Sequence, residues 1–368
     1  MDLAEALKDQ GVAVQYACPP GSFLASWCAE RGLPTRPFRV RNSGDLGAAF
    51  RLAALIREGG IDVVHAHSRR DYVIAVLGVA LARLRPPRRP RLILHVHVDR
   101  PLGSPPRLSG RFFAWGAAAV VAVSGTVAER LRHEHDLHPP FVRLIYNGIP
   151  LSEYAAPGTD EAQRRREKSR LEWGFEPSAL VLGVVGRLDA KGQTGLVGIL
   201  PALARRSPDL RLVLIGSEGE TGTRAELEAL ASAGSVADRL TFTGPRGDVP
   251  RLLAGLDVLI HLPSDEAFGL ALAEAMAAGL PTVATRIGGC REVVREGVTG
   301  LLVEPNDGAA LSAALAFLLD PVEGPARRAA MGLAGRAVVE AEFTRERQVE
   351  RLLALYQEVH VAGSRSRV

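Results

Sequence analysis

The chain contains 368 residues, 47% of them hydrophobic, and carries a formal net charge of +4 at pH 7. This length exceeds what one hydrophobic core usually supports, so we expect two globular domains and exclude a disordered chain. The sequence has no apolar run of the ~20 residues that span a bilayer and no secretory signal. Its three cysteines lack metal-ligand spacing, so we expect a reduced, cytoplasmic protein.

The first half alternates helical segments with apolar strands. Residues 2–10 have the period of an amphipathic helix, and residues 11–18 and 61–68 are predicted strands. The second of these strands carries His65, which we expect in the core, and His67. Such alternation predicts parallel βα units, in which ligands gather at the carboxyl ends of the strands.

A further strand is predicted over residues 91–99. His95, His97 and Asp99 share one of its faces, because alternate residues of a strand point the same way. Two histidines and one acid could form a metal site. We prefer a ligand-lining role for His97, because consecutive positions on one strand face seldom converge on a single ion.

An arginine-rich, proline-containing loop precedes this strand. Its arginines are Arg83, Arg85, Arg88, Arg89 and Arg91. Such a loop could contact anionic headgroups at the inner face of a membrane, or an acidic acceptor, and a simply solvated loop is an equal alternative. Nucleic acid is disfavoured, because no aromatic residues interleave with the arginines.

We expect three segments along the chain. They are a first domain, a second domain and a C-terminal helix that crosses back towards the first domain, over residues 1–150, 151–343 and 344–368. Within the first domain, Ser124 or Thr126 is suited to cap a helix.

The first strand of the second domain ends in a glycine followed by two cations. Gly186 would allow a ligand to approach the backbone closely. Arg187 and Lys191 follow it at the end of the strand where ligands bind. Two fixed cations suit a diphosphate, although a pair of loop surface charges remains the alternative.

Two acids flank a loop and helix further along the chain. Glu266 lies in the loop, and the backbone N–H groups of Phe268, Gly269 and Leu270 open the helix, which predicts an anion site. Glu274 lies in the most apolar helix of the chain, where an acid is costly without a partner. Acids on either side of a phosphate site suit a nucleotide sugar, although both could be surface charges.

This segment, E-A-F-G-L-A-L-A-E-A-M-A-A-G-L-P-T, resembles the E-x7-E motif of GT4 retaining glycosyltransferases. Residues 186–192 similarly match the family's G-R-L-x-x-x-K-G motif, and the resemblance covers nearly the whole chain. It implies the α/β GT-B fold, in which two Rossmann-like βα domains face each other across a cleft. It also implies that the second domain binds a nucleotide-sugar donor and the first binds the acceptor.

The resemblance implies a role for each candidate residue. Glu266 and His97 would act beside the reacting sugar. Glu274 would hold the ribose. Arg187 and Lys191 would bind the diphosphate, together with the backbone at Gly186 and the backbone N–H groups that open the helix after Glu266. No metal ion or other cofactor is expected. The reaction would retain the anomeric configuration and serve polysaccharide biosynthesis or a related pathway.

The beginning of the chain differs from the family pattern. Members usually open with a strand and a glycine-rich loop, whereas this chain starts inside the first helix, so we expect the first domain to lack that strand. Two alternatives to a glycosyltransferase are therefore kept. One is a catalytically impaired binding or scaffold protein, and the other is a sugar-nucleotide epimerase or a phosphorylase of the same fold. The acceptor could be a glycan, a lipid-linked glycan or a small molecule.

Overall fold

A computed structural model describes residues 2–84, 89–98 and 100–365. Its contacts divide the chain into a first unit, Met1–Gly148 with Arg345–Val368, and a second unit, Ile149–Thr344. The C-terminal helix therefore belongs to the first unit. Within the described part of the chain, no helix is long and apolar enough to cross a membrane.

The strands, in chain order, are β1 (Tyr16–Cys18), β2 (Thr35–Pro37), β3 (Val63–Ala66), β4 (Arg91–Val96), β5 (Ala119–Ala122), β6 (Val142–Leu144), β7 (Leu180–Val185), β8 (Leu210–Ile215), β9 (Leu240–Gly244), β10 (Val258–His261), β11 (Thr282–Thr285) and β12 (Gly300–Val303). The helices are α1 (Asp2–Asp9), α2 (Phe23–Glu30), α3 (Leu46–Glu58), α4 (Tyr72–Arg83), α5 (Pro106–Gly116), α6 (Gly125–His135), α7 (Asp160–Trp173), α8 (Gln193–Arg206), α9 (Thr223–Ala233), α10 (Val249–Leu253), α11 (Leu270–Ala277), α12 (Cys290–Val293), α13 (Gly308–Leu318), α14 (Gly324–Glu342) and α15 (Arg345–Arg365).

The first unit contains a parallel sheet with the order β3-β4-β5-β6 and a separate parallel pair, β1-β2. The strand predicted over residues 11–18 is shorter than expected. Gly11 has a left-handed φ of +81°, and only the last three residues find a partner, the equally short β2. On the larger sheet, Leu352 and Leu355 of α15 pack against Ile93.

The second unit is one parallel sheet with the order β12-β11-β10-β7-β8-β9. Its central strands are mostly apolar and buried, as expected for a parallel sheet with both faces covered. Helices that alternate with the strands pack against these faces, as Leu196 of α8 and Leu315 of α13 do. The predicted βα rhythm is confirmed in both units.

Side-chain caps fix where several helices begin. The residue before each helix accepts a hydrogen bond from a backbone N–H in the first turn, which replaces a partner that the helix itself cannot supply. These capping residues are Ser22, Asp45, Ser124, Thr159 and Asp307. Of the two candidates for the cap of α6, Ser124 is therefore the one that is used.

Candidate functional site

The sheet of the second unit has a topological switch point. β7 lies between β8 and β10, so successive strands extend in opposite directions on its two sides. In open α/β sheets of this kind, ligands bind beyond the carboxyl ends of the strands at the switch point. The loops that follow β7 and β10 are residues 186–192 and 262–269, and they hold most of the predicted site residues.

Lys191 and Glu266 meet at this switch point. The Lys191 Nζ lies 2.7 Å from Glu266 Oε2, and the ring nitrogen Nε2 of His261 lies 2.9 Å from the same oxygen. The Lys191 and Glu266 side chains are 21% and 17% exposed, so they are mostly shielded from solvent but still accessible to it. The backbone N–H of Leu262 also donates to the Lys191 carbonyl, which ties the two loops together.

His261 was not predicted from the sequence. It is the last residue of β10 and is buried, although its strand is otherwise apolar. A carboxylate can only accept hydrogen bonds, so His261 Nε2 carries the proton that it donates to Glu266. The sequence did contain a signal for His261, because it is a polar residue at the carboxyl end of a buried strand and directly precedes an acidic loop.

Burial alone would raise the pKa of Glu266, but hydrogen bonds from His261 and Lys191 lower it to about 2. Burial lowers the pKa of His261, which keeps its ring neutral at neutral pH. The site therefore contains a fixed carboxylate, a neutral donor and a cation, and the cation is the one partner able to turn towards an added anion.

We expect the Glu266→Gln variant to reveal this low pKa. The folded pKa lies below the ordinary value of 4.5. The carboxylate therefore stabilises the fold above about pH 4.5 and loses that effect as the pH falls towards about 2. The free-energy advantage of the wild type over Glu266→Gln should shrink by on the order of 3 kcal/mol over that range. Urea unfolding at several pH values measures it, and a difference that does not vary with pH would contradict it.

Two glycines allow the loops after β7 and β8 to approach each other. Gly186 and Gly216 have φ angles of +138° and +148°, which side-chain-bearing residues rarely adopt. A Cβ on Gly216 would lie 2.0 Å from the Gly186 carbonyl oxygen, and one on Gly186 would lie 3.0 Å from Lys191 Cγ. The glycine at position 186 is thus required by the backbone itself, and close ligand approach there remains a prediction.

The loop before α11 is held rigidly. The Gly289 N–H donates to the Glu266 carbonyl at 2.9 Å, and a Cβ on Gly289 would come within 2.4 Å of Phe268 Cα. The Phe268 ring is buried and packs edge-on against Phe343, with 5.5 Å between ring centroids. The predicted contribution of Phe268 to a ligand site is therefore confined to its backbone.

The start of α11 lies directly after this loop. Gly269 precedes the helix with a φ of +96° and provides no side-chain cap, and the side chain of Leu270 is exposed. The first N–H groups of an α-helix have no partner within the helix, so this end favours an anion. Glu274, half-buried on the same helix, lies between the buried Ala273 and Ala275.

Arg187 lies at the edge of the loop after β7. Its side chain is 63% exposed and its Nε lies 3.2 Å from Asp189. The buried Gln193 side chain donates to the Arg187 carbonyl at 2.8 Å and accepts from the Lys191 N–H at 2.9 Å. The loop conformation is thus fixed, whereas the guanidinium faces solvent.

The first unit contains a cluster of histidines at the carboxyl edge of its sheet. His97 follows the end of β4, and its Nε2 lies 3.0 Å from His67 Nδ1. His65 hydrogen-bonds to His95 at 3.1 Å and to the Tyr356 hydroxyl at 2.6 Å. Burial among these groups lowers the pKa of His97 to about 4, so the ring is neutral at neutral pH. The third member of the triad considered earlier, Asp99, lies outside the described residues.

The arginine-rich loop is only partly described. Arg85 and Arg88 lie outside the described residues. Arg83 donates to the carbonyls of Pro90 and Gly116, at 2.9 and 3.3 Å, which occupies its guanidinium within the fold. Membrane contact through this loop stays a prediction, and Arg83 is poorly placed to contribute to it.

Two parallel α/β units of this kind are the GT-B fold found in solved glycosyltransferases. A glycosyltransferase from Rickettsia africae has this fold with a TM-score of 0.85 at 20% identity, over 97% of this chain and 93% of that one. Anabaena HepE, solved in complex with UDP-glucose, has a TM-score of 0.81 at 23% identity, over 97% and 94% of the two chains.

Sequence comparison gives the same class of protein. The profile for Glycosyltransferase Family 4 matches residues 1–153, and that for Glycosyl transferases group 1 matches residues 179–321. The D-inositol 3-phosphate glycosyltransferase of Corynebacterium glutamicum is 35% identical over 199 residues, which are 52% of this chain and 47% of that protein. Both profiles describe glycosyltransferases, and together they cover most of the chain. It spans about half the length of the curated relatives it matches.

Proposed function

We propose that the protein transfers a hexose-type sugar from a nucleotide-sugar donor to an acceptor hydroxyl, with retention of the anomeric configuration. The observation that carries this proposal is the Lys191–Glu266 pair at the switch point of the second unit, beside the N-terminus of α11. The matching profiles support it, as do the names of relatives, one of which is an inositol phosphate glycosyltransferase. HepE, which shares the fold, was solved with UDP-glucose bound.

The donor diphosphate would be the leaving group. As the bond between the anomeric carbon and the phosphate oxygen breaks, negative charge develops on the diphosphate. Lys191, Arg187 and the first N–H groups of α11 would offset this charge, which is a large contribution to catalysis in a preorganised site. Because these groups would supply positive charge directly, we expect the diphosphate to be stabilised without a metal ion.

Glu266 can keep a partner while Lys191 turns to the phosphate. Both of its hydrogen bonds in the described residues use Oε2, one from Lys191 and one from His261. His261 would continue to hold the carboxylate after Lys191 has moved. The Oε1 oxygen would then accept a hydrogen bond from a hydroxyl of the donor sugar.

The remaining groups divide between the two units in this proposal. Glu274 would bind the ribose hydroxyls of the donor. His97 belongs to the first unit and would contact the sugar, while the same unit would bind the acceptor. The acceptor would be a glycan, a lipid-linked glycan or a small molecule, and the first unit would contact an anionic membrane surface.

Donor binding by Glu274 tests the proposed function. We expect at least one UDP, GDP or ADP sugar to raise the melting temperature of the wild type, since a ligand stabilises the state that binds it. Glu274→Gln should weaken that binding by about 10–100-fold, the effect of losing hydrogen bonds to a charged group. Calorimetric titration with the best donor measures the change.

The matched control is Glu226→Gln, which alters an exposed glutamate on α9. It should bind the donor as the wild type does. Equal affinity of Glu274→Gln and wild type would remove Glu274 from the site. Failure of every nucleotide sugar to bind the wild type would remove the proposed function itself.

A further inference from the structure

The histidine cluster of the first unit arises from the register of two strands. His65 lies opposite Ile93 in the parallel pair of β3 and β4. Continuing that register by two residues places His67 opposite His95. Alternate residues share a face, so His65, His67, His95 and His97 all project from the same side of the sheet. The ring centroids of His95 and His97 lie only 4.1 Å apart, and those of His65 and His67 lie 4.2 Å apart.

Nitrogen atoms from both strands converge in this cluster. One ring nitrogen from each of His65, His67 and His95 lies within 4.8 Å of the other two. His65 Nε2 and His95 Nδ1 are 3.1 Å apart. Two nitrogens on one tetrahedral zinc ion, each bonded at 2.0–2.1 Å, are separated by about 3.3 Å. To bind one ion, the two most distant of the three nitrogens would have to move closer together by about 1 to 1.5 Å. Rotation of the exposed His67 side chain can provide this movement.

Tyr356 orients His65 as a metal site requires. Its hydroxyl lies 2.6 Å from His65 Nδ1, on the side of the ring opposite to the nitrogen that faces His95. A metal-bound histidine usually donates its other N–H to such a partner, which leaves the inner nitrogen with a free electron pair. α15 therefore holds the ring with Nε2 directed into the cluster.

His95 adds a ligand from the second strand. Its side chain is fully buried, and its Nδ1 faces His65 Nε2. Its other ring nitrogen, Nε2, has no hydrogen-bond partner among the described residues. With the proton on that Nε2, His95 Nδ1 carries an electron pair that a cation shared with His65 can accept.

We propose that His65, His67 and His95 form a binding site for one transition-metal ion of the Zn²⁺ class. Imidazole nitrogens suit Zn²⁺, Cu²⁺, Ni²⁺ and Co²⁺, whereas Ca²⁺ and Mg²⁺ prefer oxygen ligands. Three histidines leave a fourth position, which a water molecule would fill. The site lies in the first unit and uses none of the diphosphate-binding groups of the second unit.

Titration of the full chain, stripped with EDTA, with ZnCl₂ in a calorimeter tests this site. We expect one Zn²⁺ per chain. His67→Gln should weaken binding by at least ~10–100-fold, the range seen when even an outer partner of a metal ligand is removed. Tyr356→Phe keeps the ring packing and removes the hydroxyl, so it should weaken binding within that same range. His67 is exposed, and replacing it should leave the fold intact.

The control variant is His133→Gln, an exposed histidine on α6 that lies outside the cluster. It should bind Zn²⁺ as the wild type does. The absence of stoichiometric binding, or an equal loss in His133→Gln and His67→Gln, would overturn the proposal. Co²⁺ gives a second measurement. An intense visible absorption typical of four-coordinate cobalt is expected, and the weak spectrum of hydrated Co²⁺ would count against the site.

Discussion

Replacing Lys191 with Met should lower the turnover of the nucleotide-sugar donor by ~10²–10³-fold, the usual cost of removing one preorganised group from a developing negative charge. Met preserves the aliphatic part of the side chain, which packs beside Gly186. Glu266 keeps the hydrogen bond from His261, so its carboxylate is not left without a partner. The loss should therefore arise from charge at the diphosphate and not from collapse of the loop.

The measurement is the release of nucleoside diphosphate from whichever donor stabilises the wild type. Lys168→Met is the matched control, because Lys168 is exposed on α7 and lies outside the two loops. It should leave turnover unchanged. If Lys191→Met were as active as Lys168→Met, the diphosphate would have to be bound elsewhere, and the Lys191–Glu266 pair would be a structural ion pair.

The sequence predicted the fold because local patterns and long-range packing agree. A buried parallel strand reads as a continuous apolar run, and Gly or Pro marks the loop that follows it. The strand predicted over residues 91–99 contains β4, and the helix predicted over residues 2–10 contains α1. The strand predicted over residues 11–18 is longer than the observed β1, because the local pattern and the long-range packing disagree there. Its apolar residues alternate like a strand, but pairing depends on a neighbouring strand that is itself only three residues long.

The geometry of the site depended on contacts that spacing does not reveal. Lys191 and Glu266 are 75 positions apart in sequence, and their separate motifs indicated one site without indicating that they pair. His261 could not be assigned a partner until the loop after β10 was seen to fold back over its strand. The four histidines required the register of β3 against β4, since each strand alone places only two of them on one face.

The charged helix α7 contains a buried arginine that its sequence does not reveal. Arg170 is 3% exposed and lies inside the second unit. It donates to three backbone carbonyls, those of Gly255, Pro177 and Ala179, and forms an ion pair with Asp257 at 2.8 Å. Charge content alone does not distinguish such an arginine from its solvated neighbours, because only the contacts made after folding do so.

Replacing Arg170 with Met should destabilise the second unit by about 3–5 kcal/mol, the cost of removing one partner from a buried ion-pair network. Asp257 accepts from the Val181 N–H as well as from Arg170 and Arg166, so it connects α7 to the first strand of the sheet. Without Arg170, the carbonyls that it satisfies would also lose their donors. Urea denaturation, monitored by the fluorescence of Trp173 at the end of α7, measures the effect where the network lies.

Arg164→Met on the same helix separates burial from charge. The Arg164 side chain is 66% exposed and pairs with Glu161 across one helical turn, so its removal should cost less than about 1 kcal/mol. The two variants remove the same charge from the same helix and should differ by several kcal/mol, because only Arg170→Met removes a buried partner of Asp257 and the donor to three backbone carbonyls. Similar urea midpoints for Arg170→Met and Arg164→Met would contradict this prediction. They would mean that water enters and solvates Asp257. The network around α7 would then help to position β7 without stabilising the unit.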